Sequence, residues 1–600
     1  MKRPLLFVAV LSGILSAQEP AKPVFEDGQA QIVKAFKKGW VQHDLWVETN
    51  FDSDGDGALD RMHVDVTRPG QTDTEGLKVP VIYQTSPYFS GTGGLDFDFF
   101  WSPEQEVGGE PKERPEPPPV VSNAKRPIIS TGLIRTWVPR GFAVVHSESP
   151  GTGNSDGCPT VGGMNETLAP KFVIDWLCGR AKGFTEREGG DEVKAFWSTG
   201  RVGMTGVSYE GTLPLAAATT GVEGLEAIVP IAPNTSYYNY YRANGLVRAP
   251  GGYMGEDVDV LYNFIHSGEE AMRSWCDQNV REDDIEKNID RVTGDWSDWW
   301  AARDLQKQLS KVRAATLCVH GFNDWNVMPS HSVNVYETLK EMGVPTMAFF
   351  HQGGHSHPSM MKWINRWFSH YLYGVDNGVE KDARAWIVRE GERSKNATPY
   401  ADYPNPDAQG VTLRLGPGVD GKPGKLGVLA GGGYETLVDD ASKPGAELAK
   451  AETSPHRLMY VSPVLSEPVH LSGRTKVHIG LSCSKPSANL SVWLVSLPWT
   501  DSRSINDDVI TRGWADPQNR GKLDESSPLV PGEEVVFSFD LEPDDQIIPA
   551  GEQIGLMIFS SDRDFTLWPE PGTELSVNLG KTYIELPVVG GNTAWTTATQ

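Results

Sequence analysis

One run constrains the chain more than any other: Arg201-Val202-Gly203-Met204-Thr205-Gly206-Val207-Ser208-Tyr209-Glu210-Gly211-Thr212. Its first four residues read as the end of a short buried strand, and Leu213-Pro214-Leu215-Ala216-Ala217-Ala218 after it reads as a small-residue helix start. Small residues at 206 and 211 let the backbone turn sharply from strand to helix, so that a serine at the apex is held out with its hydroxyl exposed. This is a nucleophile elbow, except that Glu210 stands where the second glycine of G-x-S-x-G belongs and the glycine follows at 211. A serine held this way needs partners to be more than a turn residue.

The surrounding sequence predicts the sheet that such an elbow requires. Apolar runs at 79–85, 141–146, 225–231, 314–319 and 345–350 alternate with helical spacing at 172–177 and 330–342. This rhythm predicts a mostly parallel sheet covered on both faces, with the elbow at the carboxyl end of a strand, where open α/β sheets bind ligands. The stretch 256–312 is charged and rich in Trp, with helical spacing, and reads as a helical cap inserted into the sheet domain. From about Arg384 the pattern is short alternating segments, among them 411–415, 476–481, 490–495 and 553–559, separated by Gly, Pro and Asp turns. A chain of 600 residues is too long for one core. The expected division is a signal at 1–17, a first part of the α/β core at 25–255, the cap at 256–312, a second part of the core at 313–383, and a C-terminal β-sandwich of jelly-roll type at 384–600.

Two loops in the second part of the core supply what Ser208 lacks. His320-Gly321-Phe322-Asn323-Asp324-Trp325-Asn326-Val327 follows one strand, and His351-Gln352-Gly353-Gly354-His355-Ser356-His357 follows the next. Ser208, Asp324 and His355 then stand in the chain order of α/β-hydrolase triads, each at a strand's carboxyl end. Serine at its free pKa is a weak nucleophile; an imidazole must take its proton, and a carboxylate must hold that imidazole in the right tautomer. His351 and His357 are rivals for the base, and the two glycines before 355 favour it as the exposed loop position.

Other features bound the setting. Lys2-Arg3, the apolar run from Leu5 to Leu15 and Ser16-Ala17-Gln18 have the form of a secretory signal, which predicts export to the periplasm or beyond. No later stretch reaches the length of a membrane span. A net charge of −25 repels phosphate backbones and argues against nucleic acid as a partner. Five cysteines without C-x-x-C spacing indicate neither zinc nor a disulfide framework; buried free thiols are expected, with Cys158–Cys178 as the one pairing weighed. Asp52, Asp54, Asp56 and Asp60 fall at positions 1, 3, 5 and 9 of a calcium loop with Gly57 at position 6, but position 12 is His63. That segment is either a weak calcium site or a polar hairpin turn. The Pro- and Glu-rich stretch from Glu104 to Val121 reads as an exposed excursion.

The elbow and the loop at 320–327 resemble the Xaa-Pro dipeptidyl-peptidase and cocaine-esterase group of serine hydrolases. The runs Ser236-Tyr237-Tyr238-Asn239-Tyr240-Tyr241-Arg242-Ala243-Asn244-Gly245-Leu246-Val247 and Pro250-Gly251-Gly252-Tyr253-Met254-Gly255-Glu256-Asp257-Val258-Asp259-Val260-Leu261 are similar to the Xaa-Pro dipeptidyl-peptidase branch. The resemblance implies two oxyanion donors, the Tyr88 hydroxyl and the backbone N–H of Tyr209. It implies that Glu256 binds the substrate's α-amino group and that Tyr237 and Tyr240 wall a proline pocket. Lactic-acid-bacterial members carry a large helical domain before the hydrolase that has no counterpart in this sequence, and several members have Trp where Tyr237 stands. The expected activity is a serine exopeptidase acting on peptides with proline second and requiring no cofactor. The alternatives are an esterase or α-amino-acid ester hydrolase with the same triad, and a non-catalytic binding protein that uses the sandwich.

Overall fold

The structure, a computed structural model, describes residues 20–94, 97–419, 422–502 and 504–600; the expected signal at 1–17 lies outside them. Twelve strands form the first sheet. They are β1 (Val41–Glu48), β2 (Arg61–Arg68), β3 (Val79–Ser86), β4 (Ala143–Glu148), β5 (Gly183–Phe184), β6 (Glu192–Val193), β7 (Ser198–Val207), β8 (Leu225–Ile231), β9 (Ala315–Gly321), β10 (Thr346–His351), β11 (Ala385–Val388) and β12 (Thr398–Tyr400). The spatial order is β12-β11-β10-β9-β8-β7-β3-β4-β2-β1-β5-β6. Every pairing from β11 across to β4 is parallel, while β1, β2, β5, β6 and β12 pair antiparallel at the flanks.

The parallel strands read as continuous apolar runs because both faces are covered. Val81 and Tyr83 of β3, Cys318 of β9 and Ala348 and Phe350 of β10 point into the cluster that takes in helices α1 (Met164–Leu177), α2 (Tyr209–Thr219) and α6 (Ser330–Glu341). Their neighbours Ile82, Leu317, Val319, Met347 and Phe349 point to the opposite cluster, with Trp367, Phe368 and Leu372 of α7 (Met361–Tyr373). The two-residue period thus feeds two cores from one sheet. The segment after β8 carries the short helix α3 (Tyr237–Tyr241) and then α4 (Val258–Ile265) and α5 (Glu270–Cys276), followed by a run of short helical turns to Lys311. Trp300 in this segment is fully buried and meets Tyr238 edge-on at 5.7 Å, so it is core.

Thirteen further strands, from Ala408–Gly416 to Tyr583–Val589, form a second sheet around its own apolar core, and they include all four of the C-terminal runs expected as strands. This domain is fastened to the acid loop of the first. Trp514 and Phe565 pack on Leu246, Trp325 and Met328, and Glu542 accepts the Ser330 amide at 3.0 Å, where a carboxylate suits the start of α6.

Two expectations need correction. Cys158 is neither a free thiol nor paired with Cys178: it is joined to Cys276, 118 residues away, because α5 folds back over the loop after β4. Cys178 is half-exposed, while Cys318 and Cys483 are the buried free thiols. The stretch 104–121 has no helix or strand, but it is not merely an exposed excursion. Arg114 pairs with Asp259 and Glu286, and the Pro118 carbonyl accepts from Asn263 at 3.2 Å, so the stretch is a wall laid over α4.

Candidate active site

Ser208 sits between β7 and α2 with φ 63° and ψ −128°, a conformation that a non-glycine residue holds only under surrounding constraint. The glycines supply it. A Cβ on Gly206 would collide with the Glu210 backbone, and one on Gly211 would lie 2.6 Å from the Ile231 carbonyl and 2.9 Å from that of Gly206. The second indispensable glycine is therefore Gly211. Glu210 is tolerated because its side chain leaves the turn and accepts a hydrogen bond from Gln84 at 2.6 Å. The Ser208 amide donates to Ile231 at 2.9 Å, and its hydroxyl makes no capping bond to α2.

The loops after β9 and β10 meet beside it. His355 Nδ1 donates to Asp324 Oδ2 at 2.7 Å, and the other carboxylate oxygen accepts the amides of Asn326 at 3.1 Å and Val327 at 3.0 Å. Burial alone would raise Asp324, but hydrogen bonds from His320 and His355 outweigh it and hold the carboxyl below its ordinary value. The acid is thus ionised and oriented to fix the tautomer of His355. The rival histidines are engaged elsewhere: His351 is buried, with its ring nitrogens facing the Gly353 amide and the Ser356 carbonyl, and His357 is exposed and faces the Pro358 carbonyl.

Ser208 and His355 line one cavity of about 440 Å³, together with Tyr88, Tyr237, Tyr240 and Glu256. Burial, then the charges of Glu256, Glu210 and Glu166, push the Tyr88 phenol well above its usual range, so it stays protonated and keeps a proton to donate. Tyr209 occupies the first position of α2, where an amide has no intrahelical acceptor. The Tyr209 ring is pinned by a 2.5 Å bond to Glu166, and it meets Tyr88 and Tyr237 edge-on at 5.9 and 6.1 Å.

Glu256 in this lining contrasts with its neighbour Asp257, which is not among the lining residues. Asp257 is buried and paired with Arg242 at 3.0 Å and Arg291 at 2.6 Å. Glu256 is 7% exposed and, among the described residues, has no cationic partner; it accepts only the Tyr241 hydroxyl, at 2.8 Å. Burial, reinforced by the charges of Asp257 and Asp259 against the Tyr241 bond, pushes Glu256 up to about 8. Such a carboxyl lacks only a cation. Tyr240 donates to Asn326 at 2.8 Å, tying α3 to the acid loop.

The aspartates of 52–60 lie apart from this cavity, in the turn between β1 and β2. Asp52, Asp54 and Asp60 bring one oxygen each within 4.8 Å of one another, whereas Asp56 falls outside that group and caps the Ala58 amide at 2.7 Å. Burial raises Asp60 to about 7, and Asp54 accepts the Gly157 amide at 3.0 Å.

Sequence reasoning missed Tyr241 and Glu166, which touch the site through other residues, and Asn326, which lines the cavity and accepts from Tyr240. It also missed Phe100 and Pro118, which the wall at 104–121 and its approach bring into the cavity lining. The runs at 236–241 and 320–327 flagged two of these positions without distinguishing lining from supporting residues.

A sheet of this order, with a serine on a strained elbow and an Asp–His pair on the loops after β9 and β10, defines a serine hydrolase of the α/β-hydrolase class. Comparison with known proteins narrows the class. Residues 54–357 match the family model of the X-Pro dipeptidyl-peptidase (S15 family), and residues 377–600 match the X-Pro dipeptidyl-peptidase C-terminal non-catalytic domain. The chain belongs to the X-Pro dipeptidyl-peptidase family, S15. It is 56% identical over 604 residues to a Rhodopirellula baltica protein provisionally named a Xaa-Pro dipeptidyl-peptidase, covering 98% of this chain and 96% of that one. It is 32% identical to the Xaa-Pro dipeptidyl-peptidase of Lacticaseibacillus rhamnosus, over 95% of this chain and 79% of that one. Among solved structures, an α-amino acid ester hydrolase superposes with a TM-score of 0.63 at 16% identity, covering 97% of this chain and 100% of that one. A CocE/NonD family hydrolase from Staphylococcus aureus does so with a TM-score of 0.63 at 14% identity, covering 93% and 98%. At these identities both likenesses speak for the fold alone.

Proposed function

We propose that the protein is an exopeptidase that releases Xaa-Pro dipeptides from peptide N-termini through an acyl-enzyme on Ser208. The observation that carries this reading is the buried Glu256, without a cationic partner among the described residues, in the lining of the cavity that also holds Ser208 and His355. A carboxylate there receives the substrate's α-ammonium and places the second residue's carbonyl at the serine. Tyr237 and Tyr240 offer flat faces to a pyrrolidine ring. In the reaction, Ser208 attacks that carbonyl as His355 takes its proton, and Asp324 stabilises the imidazolium. The Tyr88 hydroxyl and the Tyr209 amide donate hydrogen bonds to the developing oxyanion. Collapse of the tetrahedral intermediate breaks the C–N bond, with the proton on His355 passing to the leaving amine. Water, activated by the same histidine, then frees the dipeptide.

Assays of Ala-Pro anilide, its N-blocked form and a simple aryl ester test the proposal. Turnover of the free-amine substrate with little of the blocked one is expected; equal turnover of the two would sink it. Export directed by residues 1–17, a jelly-roll arrangement of the C-terminal sheet, and calcium at Asp52, Asp54 and Asp60 belong to the same reading. For calcium, a melting temperature that rises with added Ca²⁺ and falls with chelator is expected, and an unchanged one excludes it.

A further inference from the structure

A second cleft, of about 1010 Å³, also reaches His355. It shares His355, Asn326 and Phe100 with the cavity that holds Glu256, so the two spaces meet at the base. Unlike the first, it is lined from both domains. The catalytic domain contributes Trp325 and Gly251 to Gly252, and the C-terminal domain contributes Arg512, Arg563, Phe565 and Trp568. Arg563 is half-buried, stacks 3.7 Å from the centre of the Trp568 ring, and donates to the Ala441 carbonyl at 2.7 Å. Arg512 lies beneath, between Trp325 at 4.4 Å and Trp493 at 4.5 Å, with Nε and Nη1 buried and without a hydrogen-bond partner. Among the described residues neither arginine has a carboxylate within ion-pair distance, whereas Arg114 in the same cleft is paired with Asp259 and Glu286. Glu113, Asp98 and Asp564 also reach the lining, so the cleft carries both signs of charge.

We propose that this interdomain cleft is the subsite for the leaving peptide, the residues C-terminal to the scissile bond, and that Arg563 and Trp568 bind it. The proposal rests on the exopeptidase reading above. His355 must hand its proton to the leaving amine, so the leaving chain has to depart on the side of His355 away from the dipeptide. The Glu256 cavity takes the dipeptide, and the wide cleft is a second space lined by His355. An aromatic face serves the side chains of a peptide, and a guanidinium stacked on it serves backbone carbonyls and a terminal carboxylate. The domain whose family model is described as non-catalytic thereby touches substrate.

The test compares Ala-Pro anilide, whose leaving group is one small ring, with pentapeptides beginning Ala-Pro, using wild-type, Arg563→Ala and Trp568→Ala enzymes. The variants are expected to lower kcat/KM for the pentapeptide about tenfold, the lower end for a hydrogen bond to a charged group. The loss should fall mainly in KM, with anilide turnover unchanged. Trp568→Phe should restore most of the loss. If both substrates fall together, or neither changes, the cleft is not the leaving-peptide subsite. An enzyme that cleaves no Ala-Pro substrate of either kind would instead remove the underlying function, which keeps the two failures apart.

Discussion

Replacing Glu256 by glutamine keeps shape and the ability to accept from Tyr241 while removing the charge. The magnitude follows from two opposing terms. An ammonium about 4 Å from a carboxylate at an effective dielectric near 20 gains about 4 kcal/mol. Glu256, pushed up to about 8, must first lose a proton at pH 7, which costs about 1.4 kcal/mol for the one-unit gap. The remainder, about 2–3 kcal/mol, corresponds to a roughly 30- to 150-fold loss in kcat/KM for the free-amine substrate. Because His355 is common to both enzymes, the ratio of wild-type to Glu256→Gln rates isolates this pair. That ratio should peak near pH 8, falling below it as Glu256 takes up a proton and above it as the substrate amine loses one. Stability gives an independent check. A carboxyl whose folded pKa is raised contributes stability that is complete below its unfolded value near 4.5 and is lost as the pH rises through about 8. Glu256→Gln should therefore melt above wild type at pH 9 and with it at pH 4. A variant that slows blocked and free-amine substrates alike, or a rate ratio flat with pH, would refute the ammonium-receptor reasoning.

Other parts of the site make separate predictions. Tyr88→Phe removes one of the two proposed oxyanion donors and should lower kcat by about 10²–10³ with KM little changed; a KM effect alone would mean that Tyr88 packs rather than donates. Asp324→Asn leaves His355 in the wrong tautomer and should lower kcat by about 10⁴ in a protein of unchanged fold. Near-normal kcat in that variant would reassign the acid. Replacing Cys158 and Cys276 by serine opens a loop of 118 residues and should lower stability by about 2–4 kcal/mol in denaturant titration. An unchanged midpoint would mean the bond is not formed in the folded protein.

The sequence was legible where a residue's task is set by its neighbours in the chain. Gly206, Ser208 and Gly211 are one local turn, and Asp324 and His355 each sit on the loop after a strand whose apolar run announces it. The parallel strands were legible because burial on both faces makes them continuously apolar. Contacts made by chain return were not. Cys158–Cys276, the wall at 104–121 over α4, and the Tyr241 hydroxyl on Glu256 depend on how the segment after β8 folds back, and no local period encodes that. Glu256 and Asp257 illustrate the limit: adjacent in sequence and both buried, they differ in that Arg242 and Arg291 reach one of them and not the other.

The central claim, that Ser208 cuts after the second residue of a free N-terminus, is tested most directly by mass analysis of the products from a peptide beginning Ala-Pro. The account predicts the intact Ala-Pro dipeptide and a peptide shortened by two residues, with neither formed by Ser208→Ala. Release of free alanine, internal cleavage, or the same products from the Ser208→Ala protein would contradict it.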